Sequence, residues 1–457
     1  MAKPIKPVFE PDPEQMALMP DRSGNEINGL GETEFRRPTR VYWHNPKDIA
    51  HGGIQKWMVE RFNRVPDFKS VYAEGDRGPR ELNPSAETRE QDSAQQWSER
   101  VRDFALQHEA DLVGIARMDP GWSYDDCGPD TDPWIIVLGV GMDHARLAQA
   151  PSSDTDTASA HEVSVQYNRG ARVAAHLANW IRERGYRSAP HAGPWAGSLT
   201  LTPAALACGF GELGKHGDII NREYGSSFRL SAVVTDMPLV ADEVDEFGAD
   251  EFCTRCQVCI NACPVDAIVD DKQIVRGVEK WYVDFDKCIT YFNETHGCGI
   301  CIAVCPWSRP GAASRLAEKI RRRQPRLQDL VWSDMDAFQH VNNAVYFRFF
   351  ENARIAYFEQ VGLIAFKEET QIGPILASTS CNFWAPLSFP DTIHIGARIE
   401  SIRPKTFKMK YAVYSEDLQR VAAEGEGLVV FYNYQLGKSC EIPATIVSAI
   451  NALQDAK

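Results

Sequence analysis

The stretch FCTRCQVCINACPVDAI, Phe252 to Ile268, holds Cys253, Cys256, Cys259 and Cys263, the last followed by Pro264. A second set stands at Cys288, Cys298, Cys301 and Cys305, with Pro306 behind the last. The first run reads C-x2-C-x2-C-x3-C-P, and the second ends C-x2-C-x3-C-P. Thiolates bind iron strongly, and short C-x2-C turns gather sulfurs around one corner of a cube. The fourth cysteine of such a run serves the other cluster when two are present. The spacing therefore predicts two [4Fe–4S] clusters. One uses Cys253, Cys256, Cys259 and Cys305; the other uses Cys288, Cys298, Cys301 and Cys263. A pair of zinc sites is the competing reading, but zinc sites seldom carry this x2-x2-x3-Pro pattern. Such clusters are wires, so the chemistry they feed must lie elsewhere in the chain.

Other chemistry-bearing residues are sparser. CGFGELG holds Gly209, Gly211 and Gly214 in a formal GxGxxG, followed by Lys215. It follows LTPAALA, which reads as helix rather than strand, and no acidic residue ends a strand ~20 positions on, so a dinucleotide site is rejected. These glycines read as a tight loop where a large cofactor could approach the backbone closely. Cys127, Cys208, Cys381 and Cys440 read as small buried hydrophobes.

The elements that must position these residues follow from periodicity. The 457 residues exceed the ~250–300 that one core supports, so two or three folded units are expected. Residues 1–92 are rich in Pro and charge and read as an irregular N-terminal arm. A helix is predicted from Gln95, with Trp97, Val101, Phe104 and Ala105 on one face. DLVGIARM, WIIVLGV and RLSAVVTD read as buried strands, and Val173, Leu177, Trp180 and Ile181 mark a helix that stops near Gly185. The pattern is an α/β domain over 93–245, followed by a ferredoxin-like module over 246–310. A basic helix and linker occupy 311–324, broken by Pro325. Beyond it, over 325–457, come a long helix from about Asn343 to Gln360 and four alternating runs that read as an antiparallel sheet.

The net charge of −14 disfavours nucleic acid as a bulk partner. No run approaches the ~20 apolar residues of a membrane span. Twelve cysteines without an apolar leader segment read as reduced thiols and metal ligands in a cytoplasm.

VQYNRGARVAAHLANWIRERGY, then CGFGELGKHGDIINREYGSSFRLSAVVTDMPL, then the two cysteine sets resemble the cobalamin-dependent reductive dehalogenases over roughly residues 95–310. The epoxyqueuosine reductases share that core. The resemblance implies a nitroreductase-like fold holding a base-off corrinoid, with one cluster near the cobalt. It implies that Tyr167 gives a proton to the carbon that loses halide and that Arg229 is the nearby cation, with Lys215 and His216 as rivals for that part. A neighbouring cation favours the phenolate and makes the proton easier to give. Gly209, Gly211, Gly214 and Lys215 are the expected cofactor contacts. No flavin or NAD reductase domain is visible, so an external ferredoxin, flavodoxin or reductase is expected to supply electrons.

WSDMDAFQHVNNAVYFRFFENARIAYFEQVGL resembles the hot-dog acyl-CoA thioesterases of the 4-hydroxybenzoyl-CoA type, over about residues 325–450. Asp334, Asp336, His340, Asn342 and Asn343 lead straight into the long helix. Free N–H groups at a helix start can polarise a thioester carbonyl. The resemblance implies Asp336 as nucleophile or general base and His340 and Asn343 as shapers of the site, with Glu351 a second candidate base. The plainer reading of these residues is helix capping. The family's assembly implies a homo-oligomer through this domain. The expected activity is removal of halide from a halogenated aromatic acid or its CoA thioester, with a fused thioesterase. The rivals are a tRNA-modifying epoxyqueuosine-type reductase and a non-dehalogenating redox module that regulates the thioesterase.

Overall fold

The computed structural model describes residues 8–195, 197–323, 326–330, 334–336, 340–389 and 391–455. The chain divides into two compact units, Met1–Ile320 and Arg321–Lys457. The boundary expected near residue 324 falls on residues outside the described set, as does part of the basic IRRRQPR run.

In the first unit the arm holds helix α1 (Gly52–Phe62) and a π-turn at Lys69–Ala73. Helix α2 (Ala94–Gln107) starts at the Ser93 cap and buries Trp97, Val101 and Ala105. Strands β1 (Leu112–Arg117) and β2 (Trp134–Gly141) follow, then the 25-residue helix α3 (Ala158–Arg182). Strands β3 (Ser188–Ala192) and β4 (Phe228–Thr235) complete a four-stranded sheet in the order β1-β2-β4-β3. Its strands read as continuous apolar runs because both faces are covered, yet every pairing is antiparallel. Helices α2 and α3 cover one face through Val173, Leu177 and Ile181. Ala204, Ala205, Phe210 and Ile219 cover the other. Strand β3 carries Pro190, which an edge strand tolerates because no ladder hydrogen bond is lost there.

The cysteine region is built from short helices at Ala249–Arg255, Val258–Ala262, Phe285–Glu294 and Ile300–Ala303 and a hairpin pairing Gln273–Val275 with Val278–Lys280. The arm extends this hairpin: Gly31 donates to the Ile274 carbonyl at 2.8 Å, and Gly277 donates to that of Glu32 at 2.9 Å. The helix expected after the module runs Ala312–Arg323.

In the second unit strand β5 (Arg326–Asp329) precedes helix α4 (Asn343–Gln360) and strands β6 (Ile372–Phe383), β7 (Thr392–Arg403), β8 (Thr406–Ser415) and β9 (Arg420–Asn433). The sheet order is β6-β9-β8-β7-β5, antiparallel throughout, with a short strand at Lys438–Ser439 beside β9. Phe349 and Phe350 of α4 are wholly buried against Phe407, Met409 and Phe431. Helices Leu363–Thr370 and Ala444–Asp455, absent from the sequence reading, add Leu363, Ile446 and Ile450 to the same core.

The Phe350 ring stacks on Tyr411 with centroids 4.8 Å apart and planes 13° from parallel. Phe350→Ala is expected to cost about 3–5 kcal/mol through lost burial and the cavity left behind. Calorimetry of the full chain should show the transition of the second unit moving down and that of the first unmoved.

Candidate functional site

The site in the first unit begins with how α3 meets β4. Gly170 presents no side chain to the strand, and a Cβ there would lie 3.4 Å from the Ser231 Oγ. Tyr167 stands one turn earlier on the same helix face, and Arg229 two residues earlier on the same strand face. The close approach therefore brings the two together: the Arg229 guanidinium carbon lies 5.7 Å from the Tyr167 ring centroid. Arg229 Nε is buried without a hydrogen-bond partner among the described residues.

The other side of the ring packs on Gly193, where a Cβ would sit 2.4 Å from a ring carbon. Arg77, from the arm, ties these pieces together. It donates to the Asn168 Oδ1 at 3.1 Å and to the Gly193 carbonyl at 2.6 Å, so it holds the residue beside Tyr167 and the loop under its ring. Its charge acts on both Tyr72 and Tyr167. Tyr72 accepts a hydrogen bond from the Trp195 indole at 2.9 Å. Burial pushes the Tyr72 phenol up, opposed by that hydrogen bond and by Arg77. Sequence reasoning missed Arg77 and Tyr72 because the arm has no periodicity to give them a partner.

Tyr167 and Arg229 border a cavity of about 1070 Å³. Small-ligand pockets run ~300–1,000 Å³, so this one suits a large cofactor. Cys263, Cys288, Cys298 and Cys301 are in its wall, while Cys253, Cys256, Cys259 and Cys305 are not. A second, polar cavity of about 220 Å³ adjoins it, also bordered by Tyr167 and Arg229, with His191, Tyr124 and Asp218.

Charge interactions link Cys253 with Cys256, Cys259 and Cys305, and Cys288 with Cys263 and Cys298, while Cys301 feels Cys288, Cys298 and also Cys259. Burial pushes the thiols of Cys253 and Cys288 up to about 12 and those of Cys259, Cys298 and Cys305 up to about 11, with neighbouring sulfurs adding to the effect. Backbone N–H groups point at the sulfurs: those of Trp307 and Ser308 at Cys305, of Gly299 and Ile300 at Cys298, and of Ala267 at Cys263, the last at 3.4 Å. His296, Gly297, Cys298 and Gly299 all have positive φ, and the first two donate to the Asn293 and Phe292 carbonyls.

The expected cofactor contacts separate. Gly211 borders the large cavity; Gly209, Gly214 and Lys215 do not. Gly211 has φ +127°, and a Cβ there would lie 2.0 Å from the Ile220 carbonyl oxygen. The Lys215 N–H reaches Cys253, and its buried ammonium pairs with Asp270 at 2.6 Å. Lys215 thus serves the cysteine side and does not compete with Arg229. His216 does not compete either: burial holds its ring neutral. The Asp218 N–H donates to Nδ1 at 3.2 Å, so Nε2 carries the proton and meets Ser226 Oγ at 3.2 Å. The other histidine bordering the cavity, His296, contacts Asp154 at 2.7 Å through Nε2. The wall therefore fits a cofactor held by its shape and edges rather than one ligated through His216.

In the second unit the Asn342 side chain caps α4, accepting from the Ala344 N–H at 2.9 Å. The Asp336 N–H donates to the His340 carbonyl at 2.9 Å, and the Asn342 N–H to that of Asp334 at 2.9 Å. Asp334 is the buried carboxylate, 2.6 Å from the Arg348 guanidinium. Asp336 is half-buried at the loop before the helix; His340 and Asn343 are exposed beside it. Glu351 is exposed and 3.9 Å from Arg354. Of the leftover cysteines only Cys208 is buried; Cys127, Cys381 and Cys440 are half-exposed.

Comparison with known proteins agrees with these two units. Residues 252–308 match the 4Fe-4S dicluster domain, and residues 330–450 match the thioesterase-like superfamily. The chain is 28% identical over 246 residues to a tetrachloroethene reductive dehalogenase of Sulfurospirillum multivorans, covering 44% of this chain and 48% of that one. It is 29% identical over 181 residues to the epoxyqueuosine reductase of Vibrio cholerae, covering 36% of this chain and 44% of that one. A solved catabolic reductive dehalogenase in complex with 3-bromo-4-hydroxybenzoic acid superposes with a TM-score of 0.52 at 25% identity, covering 64% of this chain and 45% of that one. The chain thus spans less than half the length of these relatives.

Gly193→Ala is expected to push the Tyr167 ring aside and cost about 1–3 kcal/mol by overpacking. Thermal unfolding should show the loss largely relieved in the Tyr167→Ala background, since the clash then has no partner. In sequence, pairing and site geometry, the chain joins a reductive-dehalogenase-like unit carrying a 4Fe–4S domain to a thioesterase-like hot-dog domain.

Proposed function

We propose that the first unit is a corrinoid-dependent reductive dehalogenase acting on a small halogenated aromatic acid. The observation that carries this is one cavity bordered by four cysteines and by Tyr167 with Arg229 over its ring. Two [4Fe–4S] clusters on the two sulfur sets would deliver single electrons. Cys253, Cys256, Cys259 and Cys305 form the outer set, and Cys263, Cys288, Cys298 and Cys301 the inner one. A corrinoid supplies the carbon–halogen chemistry when bound. The chain's own part is to hold the substrate in the polar cavity and give a proton from the Tyr167 hydroxyl, with Arg229 and Arg77 stabilising the phenolate left behind. The matched structure's bromo-hydroxybenzoic acid is of a size suited to a cavity of about 220 Å³. An external ferredoxin, flavodoxin or reductase supplies electrons in the cytoplasm, where the thiols stay reduced.

The second unit is proposed to hydrolyse an acyl-CoA thioester, with Asp336 as base or nucleophile near the N-terminus of α4. Copies are proposed to join through this domain, whose edge strand β6 leaves Ser378, Thr379 and Ser380 exposed. A shared pathway for the two units rests on their fusion alone.

Metal analysis of chain purified without oxygen after expression with hydroxocobalamin should find about one cobalt and about eight iron per chain. Wild type should release halide from a halogenated hydroxybenzoic acid, and Tyr167→Phe should lose ~10²–10⁴-fold of that rate with its metal content intact. Iron without cobalt, or equal halide release by both proteins, would overturn the reading. Asp336→Asn should lower thioester hydrolysis by a similar ~10²-fold or more while leaving halide release unchanged.

A further inference from the structure

The hairpin Gln273–Lys280 turns at Arg276 and Gly277, both with positive φ. The arm packs along it, with Leu30 bridged to Val275 and the Arg276 N–H donating to the Gly29 carbonyl at 3.1 Å. This union places Arg36, Arg276 and Lys280 in the wall of the large cavity. The three cations are unequally matched. Arg36 pairs with Glu32 at 2.6 Å. Arg276 reaches only the neutral Asn28 carbonyl, at 2.5 Å, and is acted on by Arg36 and Glu32. Lys280 makes no ion pair or side-chain hydrogen bond among the described residues, and the charged group that acts on it is Arg276. Lys272, nearby on the same hairpin, has its own partner in Asp250 at 2.6 Å. Glu279 and Asp250 also border the cavity, but Asp250 pairs with Lys272, and the charged group that acts on Lys280 is a cation.

A half-buried ammonium beside a guanidinium, with no anion, is held in an unfavourable field. Burial and Arg276 together push Lys280 down to about 8, so charge there is retained at some cost. An anion in the cavity would remove that cost, and a phosphate oxygen accepts well from both Lys and Arg.

We infer that Lys280, with Arg276, forms a subsite in the cavity wall for a phosphate ester. The inference rests on the corrinoid reading only for the ester's source, the phosphodiester of the corrinoid nucleotide loop. With no histidine offered by His216 as a ligand, such an edge contact is where a complete corrinoid gains hold over a truncated one.

The test compares cobalamin with cobinamide, which lacks the nucleotide loop and its phosphate, by spectroscopic titration of the full chain with its clusters assembled. Wild type should bind cobalamin more tightly. Lys280→Met should raise the cobalamin Kd by ~10-fold, the worth of one charge-assisted hydrogen bond, and move the cobinamide Kd by less than ~2-fold. Lys280→Arg should keep the preference. The corrinoid-free Lys280→Met chain should melt no lower than wild type, since an unpaired charge has been replaced by an apolar side chain of similar length. Equal wild-type Kd values, or a preference that survives Lys280→Met, would overturn the subsite. If neither corrinoid binds, the dehalogenase reading falls by itself, and inorganic phosphate becomes the probe. Binding lost in Lys280→Met then keeps a phosphate subsite, and no binding overturns it.

Discussion

The first unit depends on how closely α3 lies on β4. Gly170 lies on the facing side of the helix, where an added Cβ would meet Ser231 at ordinary contact distance. Everything useful about Tyr167 follows from that approach: the ring reaches Arg229 on one side and Gly193 on the other, and Arg77 links the helix to the loop. The ring thus sits between two guanidinium-bearing side chains, one on the strand and one from the arm. The helix that carries it is held by the buried contacts of Val173, Leu177 and Ile181 further along.

A second constraint joins the two cysteine runs. Cys263 follows the first run in sequence but is linked by charge to Cys288 and Cys298, and Cys305 to Cys253 and Cys259. Neither set can be completed by one run alone. The left-handed stretch from His296 to Gly299 is conformationally costly for His296 and Cys298. At its end the N–H groups of Gly299 and Ile300 face the Cys298 sulfur.

Much of this was legible in the sequence where one physical signal dominated. Helical spacing marked α2, α3 and α4, and alternation marked β6 to β9. The cysteine spacing marked the segment that matches the 4Fe-4S dicluster domain. Strand β3 was not legible, because SAPHA is short, carries Pro190 and owes its place to pairing with β4. Strand β5 hid behind a basic run and exists by pairing with β7. Of the four expected cofactor contacts only Gly211 borders the cavity, since a glycine motif reports backbone freedom and not its direction. Arg77 and Lys280 were invisible for a common reason: each matters through partners brought from a distant part of the chain.

The arm has its own consequence for how the chain is made. Gln15 bonds Asn293, Asn25 bonds Asp284, Gly31 bonds Ile274 and Tyr42 bonds Asn293. Residues 15–42 therefore find these partners only after some two hundred and fifty further residues have been synthesised. Contacts of such long separation form late in folding. Until then the cavity lacks the wall that carries Arg36 and Trp43. That side of the cavity is thus completed only once the cysteine region on which the arm packs has been made.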